Sequence, residues 1–302
     1  MDTQTKAAII AIAVVISLSS FVVWNLDKPV SHASPNINQK IVAITSFYPI
    51  FEFTKNVGGN RIEVSQLIPV GIEPHDWEPT VKDLQNMQQA DLIVINGIGF
   101  ENWANDFALT NPDVIIVDTS KGITTDQNIL TNPTDPHIWL NPVIAKKQVQ
   151  NIANALMEID PENKEYYNTN ANSYILQLAQ LDEKIKNELS QCIKKDFISF
   201  HSAFIYFADQ YGLVQHSILE SNEPYDEPTS KNLENIINLA KNLDIDVIFT
   251  EEVLDTRTSQ VIADEIGGTV LLLSPLEIGG KDTDYIEKME QNLLHLKEGL
   301  CN

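Results

Sequence analysis

The chain has 302 residues, of which 43% are hydrophobic, and its formal net charge is −22. This length suits about two domains of ordinary size, and the hydrophobic content is typical of a folded globular protein. A surface this acidic repels the phosphates of nucleic acids, so we expect no nucleic-acid partner.

An uncharged apolar segment near the N-terminus runs from residue 7 to residue 24. As a helix it would span about 27 Å, close to the ~30 Å hydrocarbon core of a bilayer. We therefore predict an uncleaved membrane anchor within residues 1–26; small residues at 17–20 leave a cleaved signal segment as the alternative. Both place the rest of the chain outside the cytoplasm, tethered at the cell surface or, after cleavage, secreted. Residues 27–39 are polar, contain proline and are predicted to be a linker.

The remainder of the chain contains four segments that recur in the same order, at offsets of 150 to 156 residues. The matching pairs are 46–53 with 199–206, 73–80 with 223–229, 91–95 with 246–250, and 114–118 with 270–274. Such a repeat predicts two similar lobes, which we assign to residues 40–162 and 194–302. The last pair makes Asp118 the counterpart of Ser274.

Each lobe alternates short apolar runs, such as 92–95, with segments of helical periodicity. Continuous apolar runs are typical of strands buried on both faces, and alternating strands and helices predict an α/β fold with parallel sheets flanked by helices. Residues 163–193 contain neither glycine nor proline and have apolar residues at helical spacing. We predict that they form one long, rigid helix between the lobes rather than a flexible hinge.

Three of the six histidines, His75, His137 and His201, lie in polar segments that follow strand-like runs. Ligands collect at the carboxyl ends of parallel strands, and three neutral imidazoles with one open position suit Zn²⁺. We therefore predict a metal site in the cleft between the lobes, although each histidine alone is more typical of a surface or core position. Asp76 and Asp135 either orient these imidazoles or are ordinary loop residues.

The two cysteines, Cys192 and Cys301, flank the second lobe. In an oxidising compartment they can pair, and a disulfide would join the start of that lobe to its end. The sequence does not fix the distance between their Cα atoms, so both the paired and the free thiol forms stay open.

Three segments around the histidines resemble motifs of a known family. They read Val-Gly-Ile-Glu-Pro-His-Asp-Trp-Glu-Pro at 70–79, Asp-Pro-His-Ile-Trp-Leu-Asn-Pro at 135–142 and Ser-Phe-His-Ser-Ala-Phe at 199–204. Over about residues 40–300 the chain is similar to the metal-binding solute-binding proteins of ABC importers, the zinc and manganese group called cluster 9. The resemblance implies two α/β lobes joined by one long helix, a metal ion in the cleft, and delivery of that ion to an ABC transporter permease. We expect such a receptor to be a monomer.

In that family the fourth ligand is often an aspartate in a Leu-Asp-Pro-Leu-like stretch. Here the stretch reads Leu-Ser-Pro-Leu-Glu at 273–277, and the hydroxyl of Ser274 is a poor metal ligand. The resemblance therefore leaves Glu277, another nearby carboxylate or water as the fourth ligand. Family members with glutamate in place of His201 tend to bind manganese, so a third histidine favours Zn²⁺ over Mn²⁺. The acidic or histidine-rich loop of many zinc-binding members is missing from residues 120–134, where Asp126 is the only acid.

These observations predict an extracytoplasmic metal receptor that binds Zn²⁺, and less readily Mn²⁺, and that is not an enzyme. One alternative is a zinc hydrolase in which Glu73, Glu251 or Glu252 acts as a general base, although no His-Glu-x-x-His motif supports it. The other is a surface adhesin or interaction protein with a vestigial metal site.

Overall fold

The computed structural model describes residues 40–123, 135–219, 228–252, 256–279 and 284–301. The segments 1–26 and 27–39, for which the sequence predicts a membrane anchor or signal and a linker, lie outside these residues, as does Asp126. Within the described ranges, no helix is both long and apolar enough to cross a membrane.

The first lobe is a four-stranded parallel sheet with helices between its strands. In chain order its elements are β1 (Ile41–Thr45), α1 (Tyr48–Gly58), β2 (Ile62–Gln66), α2 (Val81–Met87), β3 (Leu92–Ile95), α3 (Ala104–Thr110) and β4 (Ile115–Asp118). The strand order is β2-β1-β3-β4, and neighbouring strands are parallel. Strand β3 is buried along its whole length, which explains its uninterrupted apolar sequence.

One long helix leads from the first lobe to the second, and it follows a shorter helix of the first lobe. A short 3₁₀ helix (Ile138–Leu140) leads into α4 (Pro142–Ile159), and another (Pro161–Asn163) leads into α5 (Lys164–Leu189). Helix α5 has 26 residues and confirms that a single long helix lies in this part of the chain; it ends at Leu189. Its buried side chains recur every three to four residues, as expected for a helix that packs along one face. They are Tyr167, Ala171, Tyr174, Leu178, Leu181, Ile185 and Leu189.

The second lobe repeats the architecture of the first. Its elements are β5 (Asp196–Ser199), α6 (Ile205–Tyr211), β6 (Val214–Ser217), α7 (Ser230–Asn242), β7 (Val247–Thr250), α8 (Arg257–Ile266), β8 (Thr269–Leu272) and α9 (Tyr285–Leu300). The strand order β6-β5-β7-β8 matches that of the first sheet, again with parallel neighbours. The prediction of two similar α/β lobes is therefore confirmed.

The strand pairing corrects one detail of the repeat. In the first lobe Ile95, at the end of β3, pairs with Asp118. In the second, Thr250, at the end of β7, pairs with Leu272. Asp118 is therefore the counterpart of Leu272, and its predicted match with Ser274 is wrong by two residues. An apolar run indicates a buried strand but not its register, which depends on hydrogen bonding and turns.

One hydrophobic core runs through both lobes, with contributions from β1, α1, α4, α5, β5 and α9. Buried hydrogen bonds also cross between the lobes. The indole Nε1–H of Trp139 donates to the Pro275 carbonyl (2.8 Å), and the hydroxyl of Tyr285 donates to the Trp139 carbonyl (2.6 Å). Because packed cores resist deformation, this shared core opposes a wide hinge motion of the lobes.

A disulfide joins Cys192, just after α5, to Cys301, just after α9. Beside it the backbone N–H of Lys194 donates to the Leu300 carbonyl (3.2 Å). The disulfide joins the C-terminal helix to the end of the connecting helix. The sequence leaves both the paired and the free thiol forms open, and the structure has the paired form.

Replacing Asn141 by alanine is expected to destabilise the protein by about 1–2 kcal/mol. Its Oδ1 accepts hydrogen bonds from the N–H groups of Val143 (2.8 Å) and Ile144 (3.3 Å) and so caps α4, while its Nδ2 donates to the Tyr206 carbonyl in the second lobe (3.0 Å). Urea denaturation measures the change. Asn172→Ala, on the exposed side of α5, is the control and should lose no stability; equal midpoints for both variants would contradict the assignment.

Candidate metal centre

The three predicted histidines lie together at the carboxyl ends of the two sheets. His201 lies two residues after the end of β5, His137 immediately precedes the 3₁₀ helix before α4, and His75 lies in the loop between β2 and α2. His137 and His201 are fully buried, and the side chain of His75 is 5% exposed. Parallel strands direct their carboxyl ends toward one edge of each sheet, and the facing edges place the three rings in one cluster.

Four donor atoms, one from each of His75, His137, His201 and Glu277, lie within 4.8 Å of one another. The Nε2 atom of His137 is 3.2 Å from that of His75 and 3.3 Å from that of His201. The Oε1 atom of Glu277 is 3.1 Å from Nε2 of both His75 and His137, and 3.7 Å from Nε2 of His201.

These spacings are close to those of a tetrahedron around a zinc ion. Zn²⁺ binds imidazole nitrogen and carboxylate oxygen at about 2.0–2.2 Å. Ligand atoms at the corners of such a tetrahedron are separated by about 3.3–3.6 Å. Four of the five separations given above, from 3.1 to 3.3 Å, lie at or just below this range, and the fifth, 3.7 Å, lies just above it. The donor set and its spacing therefore fit a four-coordinate Zn²⁺.

Glu277 is presented to the cluster by a turn that Ser274 holds. The Ser274 hydroxyl accepts a hydrogen bond from the N–H of Leu276 (3.1 Å), and Asn292 of α9 bonds to both the N–H and the carbonyl of Ser274 (2.8 and 2.7 Å). Leu276 is buried with φ of 60°, a conformation that leucine adopts only where its surroundings enforce it. Ser274 thus supports the turn, and Glu277 supplies the carboxylate.

Two buried carboxylates orient two of the histidines. Asp135 Oδ1 accepts from both the backbone N–H (2.9 Å) and the Nδ1–H (2.8 Å) of His137. Glu251 accepts from the backbone N–H (3.1 Å) and the Nδ1–H (2.7 Å) of His201. With Nδ1 acting as donor, Nε2 is the nitrogen that faces the cluster.

The sequence suggests Glu251 only as a candidate base, and the structure shows instead that it orients His201. Its position directly after a buried strand was the available signal. Of the two roles that the sequence allows for Asp76 and Asp135, Asp135 orients an imidazole. Asp76 is exposed and fits the role of an ordinary loop residue. Glu252 forms an ion pair with Lys288 (3.1 Å) outside the cluster.

Burial and the surrounding charges oppose each other in setting the pKa values of the cluster. Burial lowers the pKa of His137, but Asp135 and Glu277 outweigh it and raise this pKa to about 10. The pKa of His201 is also raised, because the charges of Glu251 and Glu277 outweigh burial. Burial raises the pKa of Glu277, but the neighbouring histidines outweigh it and hold this pKa below its usual range. Before metal binds, protonated imidazole therefore balances carboxylate charge.

Glu73 is a further buried carboxylate beside the cluster. Its Oε1 accepts from the His75 backbone N–H (3.1 Å) and lies 4.0 Å from Nε2 of the same histidine. Burial and the charge of Glu277 raise the pKa of Glu73 to about 9. Aromatic rings pack against two of the histidines. The ring centre of Phe100 is 4.9 Å from that of His75, and the ring centre of Trp139 is 5.1 Å from that of His137. The cluster is thus enclosed by protein.

Comparison with known proteins gives consistent matches over most of the chain. The model of the family described as "Zinc-uptake complex component A periplasmic" matches residues 43–299. The chain is 37% identical over 281 residues to the high-affinity zinc uptake system protein ZnuA of Bacillus subtilis (strain 168), covering 86% of this chain and 88% of the relative. It is 33% identical over 309 residues to the zinc-binding protein AdcA of Streptococcus pyogenes serotype M3, covering 93% of this chain but only 59% of that longer relative.

The fold of this chain also matches that of a solved structure. The crystal structure of the Zn(II)-bound ZnuA-like domain of Streptococcus pneumoniae AdcA matches with a TM-score of 0.79 and 33% identity, covering 87% of this chain and 100% of that domain. The family match over residues 43–299 contains all four clustered side chains. The chain therefore belongs to the family of periplasmic zinc-uptake complex component A proteins.

Proposed function

We propose that this protein is an extracytoplasmic receptor that binds one Zn²⁺ ion through His75, His137, His201 and Glu277 and delivers it to the permease of an ABC importer. The observation that carries the proposal is the tetrahedral spacing of three imidazole nitrogens and one carboxylate oxygen. The zinc uptake and zinc-binding relatives support zinc as the cargo. A membrane tether within residues 1–26 and a monomeric state belong to the same proposal.

Zinc is favoured over manganese by the donor set. Three nitrogen donors and one oxygen donor suit Zn²⁺, whereas Mn²⁺ favours oxygen-rich octahedral sites. With a carboxylate as the fourth ligand, protein side chains fill all four coordination positions of the bound ion, as in structural zinc sites. Catalytic zinc sites instead keep one position open for water.

The hydrolase alternative lacks a suitable base among its three candidates. Glu251 accepts from His201, Glu252 pairs with Lys288, and Glu73 accepts from the His75 backbone N–H. An adhesin with a vestigial site would not need to keep four donor atoms at zinc-binding separations. A receptor therefore fits the site better than a hydrolase or an adhesin with a vestigial site.

The proposal is tested by measuring the metal content and metal affinities of the purified protein. We expect about one zinc ion per chain and a higher affinity for Zn²⁺ than for Mn²⁺ in competition with a chelator. A protein that binds neither ion, or that prefers Mn²⁺, would contradict the proposal.

Zinc affinity is expected to fall as the pH is lowered from 8 to 6. The pKa of His137 is about 10 before metal binds, so at these pH values zinc must displace its proton. Each displaced proton lowers the apparent affinity by about tenfold per pH unit, so the loss should be about 100-fold or more. Competition with a chelator of known protonation behaviour measures it, and a constant affinity over this range would contradict ligation by His137.

A further inference from the structure

The two most deeply buried histidines of the cluster are each held at two points by one carboxylate. The backbone N–H and the ring Nδ1–H of His137 both donate to Asp135, and those of His201 both donate to Glu251. We call these arrangements the carboxylate clamps. Because a clamp contacts backbone and ring together, it restricts the backbone conformation, the ring orientation and the tautomer of its histidine.

Each clamp is buried and thereby shielded from competing water. Asp135 is 1% exposed and Glu251 is 5% exposed. The tyrosine hydroxyl of Tyr206 donates to the Asp135 carbonyl (2.8 Å), which fixes the first clamp from the second lobe. Among the described residues no comparable clamp is found at His75, whose backbone N–H alone donates to Glu73.

The repeat places a supporting residue at the same position in both lobes. Glu251 directly follows β7, and Asn96 directly follows the equivalent strand β3. Glu251 holds His201 itself, while the Nδ2 of Asn96 donates to the Pro136 carbonyl (2.9 Å), one residue before His137. The end of the third strand therefore supports a histidine of the cluster in each lobe, which is a positioning role and not that of a base.

We propose that Glu251 and Asp135 are positioning residues that set the preference of the site for Zn²⁺ over Mn²⁺, an inference that rests on the proposed function. By fixing two imidazoles, the clamps hold the Nε2 atoms of His137 and His201 3.3 Å apart, close to a tetrahedral separation. Such a site suits four-coordinate Zn²⁺ and penalises Mn²⁺, which favours six oxygen-rich positions. Loosening a clamp should therefore weaken zinc binding more than manganese binding.

The test uses the full chain, purified in detergent, with the variants Glu251→Ala and Glu251→Gln. Glu252→Gln is the matched control, because it removes the neighbouring carboxylate, which pairs with Lys288 outside the cluster. Zinc and manganese affinities are measured by chelator competition, and the coordination geometry is followed by the visible absorption of bound Co²⁺. The glutamine variant keeps an oxygen that can accept from Nδ1–H but lacks the charge.

We expect Glu251→Ala to lower zinc affinity by about 10- to 100-fold, with a smaller loss in manganese affinity and a weaker, shifted Co²⁺ spectrum. Glu251→Gln should recover part of the loss, and Glu252→Gln should behave as the unsubstituted protein. A purely structural role would lower thermal stability without changing the Co²⁺ spectrum or the ratio of zinc to manganese affinity.

Unchanged zinc affinity and an unchanged Co²⁺ spectrum in Glu251→Ala would overturn the inference, as would equal losses for both metals. If the alanine variant does not fold, the same measurements are made on Glu251→Gln and Asp135→Asn. Unchanged zinc affinity and an unchanged Co²⁺ spectrum in both of these variants would overturn the inference. Absence of zinc binding by the unsubstituted protein would instead overturn the proposed function and this inference with it.

Discussion

Replacing Glu277 by glutamine is expected to lower zinc affinity by about 100- to 1,000-fold. Zinc binding of about 10–16 kcal/mol shared among four ligands is roughly 2.5–4 kcal/mol for each, and 1.4 kcal/mol corresponds to tenfold. The Oε1 atom of Glu277 is 3.1 Å from Nε2 of both His75 and His137. The glutamine substitution therefore removes a negative charge from within the donor set and keeps the size of the side chain. Chelator competition measures the loss.

The control for this variant is Glu290→Gln, which makes the same chemical change at an exposed ion pair with Lys184 on the helices outside the site. It should leave zinc affinity unchanged. If Glu277→Gln also binds zinc as the unsubstituted protein does, then water or another carboxylate is the fourth ligand and the assignment of Glu277 is wrong.

Removing the disulfide is expected to destabilise the protein by about 2–5 kcal/mol. The cross-link joins residues 109 positions apart, and in the chain-entropy account a loop of this size restricts the unfolded chain by about 4.7 kcal/mol, less any relaxation of the native state. Cys192→Ser combined with Cys301→Ser should therefore lower the midpoint of urea denaturation.

A reducing agent provides the control for the disulfide. Dithiothreitol should lower the stability of the unsubstituted protein to that of the double variant, and it should not change the double variant. Equal denaturation midpoints for the oxidised unsubstituted protein and the double variant would show that the cross-link does not restrict the unfolded chain as described.

The sequence predicts the two-lobed α/β fold well because its signals are local and repeated. Uninterrupted apolar runs such as β3 indicate strands buried on both faces, and the absence of glycine and proline from 163–193 indicates the single helix α5. Register is not local. Asp118 pairs with Ile95, and only the hydrogen bonding between β3 and β4 shows that its counterpart is Leu272 and not Ser274.

Within the site, the histidines can be predicted but their supporting residues only in part. His75, His137 and His201 are rare residues in distinctive segments, so sequence reasoning selects them. The choice of Glu277 depends on the turn held by Ser274 and on the left-handed backbone of Leu276, which spacing does not encode. The clamp formed by Glu251 spans 50 residues of chain, so only the folded structure brings it to His201.

The central claim is that three histidines and Glu277 form a four-coordinate zinc site. Zinc K-edge X-ray absorption of the purified, zinc-loaded protein tests it most directly. We expect about one zinc ion per chain, with four nitrogen or oxygen neighbours at about 2.0–2.2 Å and an outer-shell pattern of three imidazoles. A six-coordinate ion, or fewer than three imidazoles around it, would contradict this account of the site.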